Sequence, residues 1–196
     1  YLRAIDLQAD AANARYGLAR LAEIDNSFIT AGRYYKEIIK QNPKELKAYR
    51  DLLRISTLQG NSQKTIEFIT KESGEGSALA SAVLAEHYVG KQNIPKAELF
   101  LQAATDQELN ASYLTHINSL VSYHSGKEHI EKLEFAEARQ AILRGLKGSP
   151  NNIELLMQLA AVELKTSNYG ALTELLKRLE NLNANSLQIS ALRGDR

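Results

Sequence analysis

Cysteine is absent from the 196-residue chain. That removes disulfide frameworks and thiolate metal sites and leaves the compartment, cytoplasm or periplasm, open. Proline is scarce, and the three that occur, Pro43, Pro95 and Pro150, fall at joints between apolar-periodic segments. Valine is rare beside leucine and alanine. Leu and Ala lose little freedom in a helix while β-branched residues lose more, so this balance favours helix over sheet. An excess of one charge is missing too: 24 basic against 23 acidic residues leave +1. A nucleic-acid partner normally demands a clear basic surplus to displace counterions, so none is expected. No apolar run approaches the roughly 20 residues that span a bilayer. The first residues, Tyr1 to Leu7, already pattern as amphipathic helix rather than as a signal peptide. The reading is therefore of a chain that starts inside one helix and stops inside another, a fragment of something longer.

What is present is regular punctuation. Helical patterns run over about 12–25, 28–41, 45–59, 63–72, 77–90, 95–106, 111–125, 133–147, 152–166 and 169–182, with the short connections of antiparallel helix pairs. Asp25-Asn26-Ser27, Gly60-Asn61-Ser62, Gln92-Asn93-Ile94-Pro95 and Ser167-Asn168 stand between them. Gly and Asn tolerate the left-handed backbone that ends a helix, and Ser or Asn caps the next one.

The faces repeat. In the first helices, Leu18-Ala19, Leu52-Leu53, Leu84-Ala85 and Leu159-Ala160 fall at matching places, most pairing a large residue with a small one. In the second helices, Ala31-Tyr35-Ile38 recurs as Thr65-Ile69-Glu72, Ala97-Leu101-Ala104, Ala138-Ile142-Gly145 and Leu172-Leu176-Leu179, with steps of 34, 32, 41 and 34 residues. Hairpins at this period bury their apolar faces only by stacking on neighbours. The 41-residue step into the fourth hairpin is long, with excess length near Ser125-Gly126 to Lys132. Either its helices are longer or a loop is inserted, and the register of its first helix stays open.

These residues resemble a tetratricopeptide repeat. Leu18-Ala19-x-x-Ala22 followed by Ala31-x-x-x-Tyr35-x-x-Ile38-x-x-x-x-Pro43 matches a complete repeat, and Ala138-x-x-x-Ile142-x-x-Gly145-x-x-x-x-Pro150 matches a second half. The first-helix aromatic survives only as Tyr49, with Arg15, Ser81 and Leu156 elsewhere. The resemblance implies an all-α fold, a right-handed superhelical solenoid of antiparallel helix hairpins. It would hold about five repeats (12–43, 46–75, 77–109, 111–150 and 153–184), with partial repeats at 1–9 and 187–196, as one array over 1–196. The diverged array, with Leu192-Arg193-Gly194-Asp195 near its end, is also similar to bacterial arrays tied to exopolysaccharide and protein sorting, such as PEP-CTERM-associated repeat proteins.

Catalytic and ligand motifs find little support. Gly60-Asn61-Ser62-Gln63-Lys64-Thr65 lacks the second glycine and the preceding strand of a phosphate loop. His87, His116, His124 and His129 do not stand at ligand spacing on one helix face, and no cofactor or metal is expected. Glu128, Glu131, Glu134 and Glu137, interleaved with Lys127, Lys132 and Arg139, read as a solvated face, and Asn110-Ala111-Ser112 as a chance sequon. No nucleophile turn is visible, so no enzyme is expected.

In the implied architecture the first helix of each pair lines the concave side. That projects Asn13, Tyr16, Arg20 and Glu23, then Lys47, Arg50 and Arg54, then Glu86, then Met157 and Ala161 inward. Arg20, Lys47, Arg50 and Arg54, with Tyr16, are the candidate partner-binding residues. With no neutralising acid at the matching spacings except Glu23 and Asp51, these cations are expected to be free to meet a protein or peptide partner of acidic character. The resemblance thus implies a scaffold or adaptor. The alternative is a structural spacer or assembly module of a larger bacterial secretion, sorting or exopolysaccharide protein.

Overall fold

The computed structural model describes residues 11–72, 77–104 and 111–194. Among them stand eleven α-helices and no strand: α1 (Ala11–Ile24), α2 (Phe28–Gln41), α3 (Leu46–Leu58), α4 (Ser62–Glu72), α5 (Ala78–Gly90), α6 (Ile94–Ala103), α7 (Ala111–Glu131), α8 (Phe135–Gly148), α9 (Ile153–Lys165), α10 (Tyr169–Asn181) and α11 (Ser186–Gly194). None is long and apolar enough to cross a membrane. The partial repeat expected at 1–9 and the Asn110 sequon lie outside the described residues.

Each hairpin turn is built the same way. Asn26, Gly60, Gln92, Leu133 and Ser167 all take positive φ, between 55° and 68°, each five residues ahead of the small or apolar residue that opens the second-helix pattern. The next amide reaches back to a carbonyl in the last turn of the first helix: Ser27 to Ala22, Asn61 to Ser56, Asn93 to Tyr88, Glu134 to His129 and Asn168 to Glu163. This closes orphan carbonyls at the helix end. Gly60 adopts the conformation freely. Leu133 does so against its Cβ, at a cost of about 1–2 kcal/mol. Caps are less uniform than the turns. Asn93 and Asn152 accept from Lys96 and Leu155 amides, whereas Ser27 makes no side-chain cap and the Asn168 amide turns to Glu163 instead.

The same turn fixes the fourth hairpin. Its first helix does not stop at 125 but continues through Ser125-Gly126 to Glu131, so the long step is a longer helix and not an inserted loop. Ser125 and Gly126 are both buried because α8 crosses there. A Cβ on Gly126 would meet Ile142 Cγ1 at 2.7 Å, and one on Gly145 would meet Ser122 Cβ and Leu155 Cδ1 at 2.7 Å. The extra turns lie at the start of α7, where Asn118 donates to the Arg144 carbonyl.

The described residues form two compact units. One holds those as far as His87 together with Ala103 and Ala104; the other holds Tyr88–Gln102 and those from 111 on. In the first, α1 packs on α2, α2 on α3 and α3 on α4. Its core includes Ala19, Ala31, Tyr35, Ile38, Ile39, Ala48, Tyr49 and Leu52, all but fully buried. Tyr49, the one retained first-helix aromatic, donates to the Pro43 carbonyl at 3.0 Å, tying the inter-repeat joint to the core. In the second, α7 runs along α8, and α9 packs on α7, α8 and α10 around Ile142, Leu155, Leu156, Ala160 and Leu172.

Candidate functional site

Within the first unit the helices α1, α3 and α5 are joined side by side by their charged residues. The 3.6-residue period puts Tyr16, Arg20 and Glu23 on one face of α1 and Lys47, Arg50, Asp51 and Arg54 on one face of α3. Arg54 Nη2 lies 2.6 and 2.9 Å from the two Glu23 carboxylate oxygens, joining α3 to α1. Arg50 Nη2 lies 2.7 Å from Glu86 Oε1 on α5. Lys47 Nζ sits 4.2 Å from the centre of the Tyr16 ring and 3.4 Å from Asp51. Tyr35, from α2, donates to Glu23 at 2.5 Å and meets Tyr16 edge to face.

The expectation that these cations are free to meet an anionic partner is thus corrected for three of them, Glu23 and Asp51 being joined by Glu86 as their acids. Lys47, Arg50 and Arg54 each hold an acid, and of the four candidate cations only Arg20 has no ion-pair partner among the described residues. The acids form the floor and the cations the rim: the Glu23 side chain is 17% exposed against 48% for Arg54. Burial alone would raise the Glu23 carboxyl. The hydrogen bonds from Tyr35 and Arg54 and the charges of Arg54 and Arg20 outweigh it and hold Glu23 below the usual carboxylate range. Reciprocally, the Glu23 hydrogen bond leads the effects that raise Arg54. Burial and the neighbouring Glu45 carboxylate push the Tyr16 hydroxyl far up, so it stays neutral.

Arg20, Lys47 and Arg54 come together with Glu23, Asp51, Tyr35 and Ile24 around an open cleft of about 380 Å³. Arg50 is not in its lining; it sits on the α5 side of α3 with Glu86. Met157 and Ala161 belong to the second unit. Sequence reading missed Tyr35, which enters from a second helix, and Glu86 as the partner of Arg50. The two ion pairs that join first helices link residues about one repeat apart, Glu23 with Arg54 and Arg50 with Glu86, and that offset was the available signal.

Elsewhere the charged run of the fourth hairpin pairs along its helix, Lys132 with Glu128 and Lys127 with Glu131. Arg139 leaves the run to grip Glu163. His129 pairs with Glu134 through Nδ1 at 2.6 Å. Burial, with help from Lys127, holds His124 below the ordinary imidazole range. Among the described residues no three His, Asp or Glu side chains are placed to share a metal ion.

No protein-family profile and no curated protein matches the sequence. Solved structures do. YrrB, described as a tetratricopeptide-repeat protein with an unusual peptide-binding site, superposes with a TM-score of 0.60 at 15% identity over 98% of this chain and 97% of its own. PilW, a type IV pilus biogenesis factor, gives 0.57 at 14% identity over 95% and 87%. MamA gives 0.50 at 18% identity over 87% and 89%. With these likenesses and the repeated hairpin turns together, the chain has the all-α helical-hairpin fold of tetratricopeptide-repeat proteins.

Proposed function

We propose that the chain is a protein-interaction scaffold and not an enzyme, and that the first-helix face of its first unit, around Tyr16, Arg20, Lys47, Arg50 and Arg54, receives a peptide or a partner domain. The observation that carries this reading is the ordered ionic face itself. Three helices present long polar side chains already locked by partners, so little side-chain freedom remains to be lost on binding. The peptide-binding site named for YrrB supports the same class of use. Neutralisation of three of the four cations supports a protein partner over a nucleic acid, whose phosphates need uncompensated positive charge.

Photo-cross-linking tests this. A photoreactive residue at Asn13, exposed on α1 and no part of the ionic face, is expected to trap a partner in cells of the source organism, and one at Lys64, on second helix α4, is expected to trap none. Equal yields, or silence at Asn13, would instead support the reading of a structural spacer within a larger secretion, sorting or exopolysaccharide protein.

A further inference from the structure

The charges lining the cleft nearly cancel, and the remainder is a single cation. Lys47 is tied to Asp51 and lies over the Tyr16 ring. Arg54 is tied to both oxygens of Glu23 and approaches Asp51 at 3.4 Å. These four form one chain of alternating sign, anchored at one end by the Tyr35 hydroxyl. A partner carboxylate that drew Arg54 away would strand Glu23, which is mostly buried and has Tyr35 as its other support. Leaving a buried carboxylate uncompensated costs more than an exposed ion pair returns. Arg54 and Lys47 therefore serve the cleft as structure rather than as open anion sites.

Arg20 is different. It is exposed, lines the same cleft, and has no ion-pair partner among the described residues. Its guanidinium keeps five N–H donors in a fork that matches a carboxylate. One turn further along α1, on the same side, Ile24 also lines the cleft and is 75% exposed. Residues four apart on a helix hold their Cβ atoms about 5–6 Å apart, close to the roughly 6.5–7 Å between alternate side chains, which share one face of an extended peptide.

We propose that the cleft recognises a peptide segment with one carboxylate beside one aliphatic side chain, the carboxylate on Arg20 and the aliphatic group on Ile24. The inference rests on the interaction-scaffold reading and narrows it: the partner is singly acidic at this site, not polyacidic. The carboxylate takes the one cleft cation whose charge no ion pair already compensates. The aliphatic group covers an isoleucine that otherwise faces water.

Short labelled peptides of equal length test this by fluorescence anisotropy against the whole chain. One carries Leu-Ala-Asp (the Leu-Asp peptide), one Leu-Ala-Asn (the Leu-Asn peptide) and one Leu-Ala-Asp-Asp-Asp (the triple-acid peptide), the alanine placing leucine and the first acid on one face of the extended chain. The Leu-Asp peptide is expected to bind about fivefold more tightly than Leu-Asn, the yield of one exposed ion pair. The triple-acid peptide is expected to gain no more than about twofold over Leu-Asp, with a similarly shallow salt dependence. Arg20→Ala should erase the Asp-over-Asn preference, and Ile24→Ser should weaken every peptide. Glu23→Gln keeps the shape but frees Arg54, and should turn the cleft toward the triple acid.

If wild-type protein binds the triple-acid peptide tenfold or more above Leu-Asp, or if Arg20→Ala keeps the preference, the single-cation inference is overturned while the scaffold reading stands. If no peptide binds, the inference falls. The scaffold reading falls with it only if the Asn13 cross-linker is also silent.

Discussion

Gly145→Leu is expected to prevent the second unit from folding, and Gly145→Ala to destabilise it by about 2 kcal/mol. Alanine in place of a mid-helix glycine normally gains about 1 kcal/mol through propensity. Here the added Cβ would stand 2.7 Å from Ser122 Cβ and from Leu155 Cδ1. The leucine methyl can rotate away, but Ser122 Cβ is fixed to the α7 backbone, so α7 and α8 must separate. Overpacking of this kind costs about 1–3 kcal/mol and occasionally more, which overrides the propensity gain. Gly126→Ala presses on Ile142 from the other helix and is expected to act in the same direction. Urea denaturation followed by circular dichroism measures both. A Gly145→Ala protein as stable as wild type, or more stable, would mean that the two helices do not cross there.

Arg139→Ala is expected to destabilise the second unit by about 2–3 kcal/mol, far beyond the ±0.5 kcal/mol typical of a surface charge. Glu163 is drawn into the core by its place in α9, with only 5% of its side chain exposed. Its oxygens accept from Arg139 Nε at 2.8 Å and Nη2 at 2.5 Å, and from the Asn168 amide at 2.8 Å. Removing the guanidinium leaves a buried carboxylate with one neutral donor. Breaking a fully buried pair costs about 3–5 kcal/mol, discounted here because Arg139 keeps contact with water. The paired variant Arg139→Ala with Glu163→Met should recover most of the loss, since no charge is then left behind. If the single variant melts with wild type, or the paired one is worse than the single, the pair is not what holds α8 to α9.

Most of the fold could be read from the sequence because the information is local. A turn needs a residue that tolerates left-handed backbone, and Asn26 and Gly60 announce it. Leu133 does not, since nothing local marks a leucine for that conformation. Repeat spacing places it nonetheless, at the same distance before Ala138 as Asn26 before Ala31. Ser125-Gly126 misled for a related reason. Glycine signals either a chain break or a close crossing, and only the spacing decides. Gly126 precedes Ala138 by the interval that separates Ala19 from Ala31 and Ala85 from Ala97, so it is the small residue of a first helix. For the candidate site, helical spacing brought Lys47, Arg50 and Arg54 to one face. It could not show that Glu23 and Glu86 reach across from neighbouring helices, because ion pairs about one repeat apart depend on how hairpins stack and not on one helix alone.

Amide chemical shifts of isotopically labelled protein, recorded while the Leu-Asp peptide is added, test the central claim most directly. The account predicts perturbations concentrated on α1 and α3, centred on Arg20, Ile24, Asp51 and Arg54, with the outward residues of α2 and α4 unchanged. Perturbations confined to those second helices, or none on α1 at saturating peptide, would contradict it.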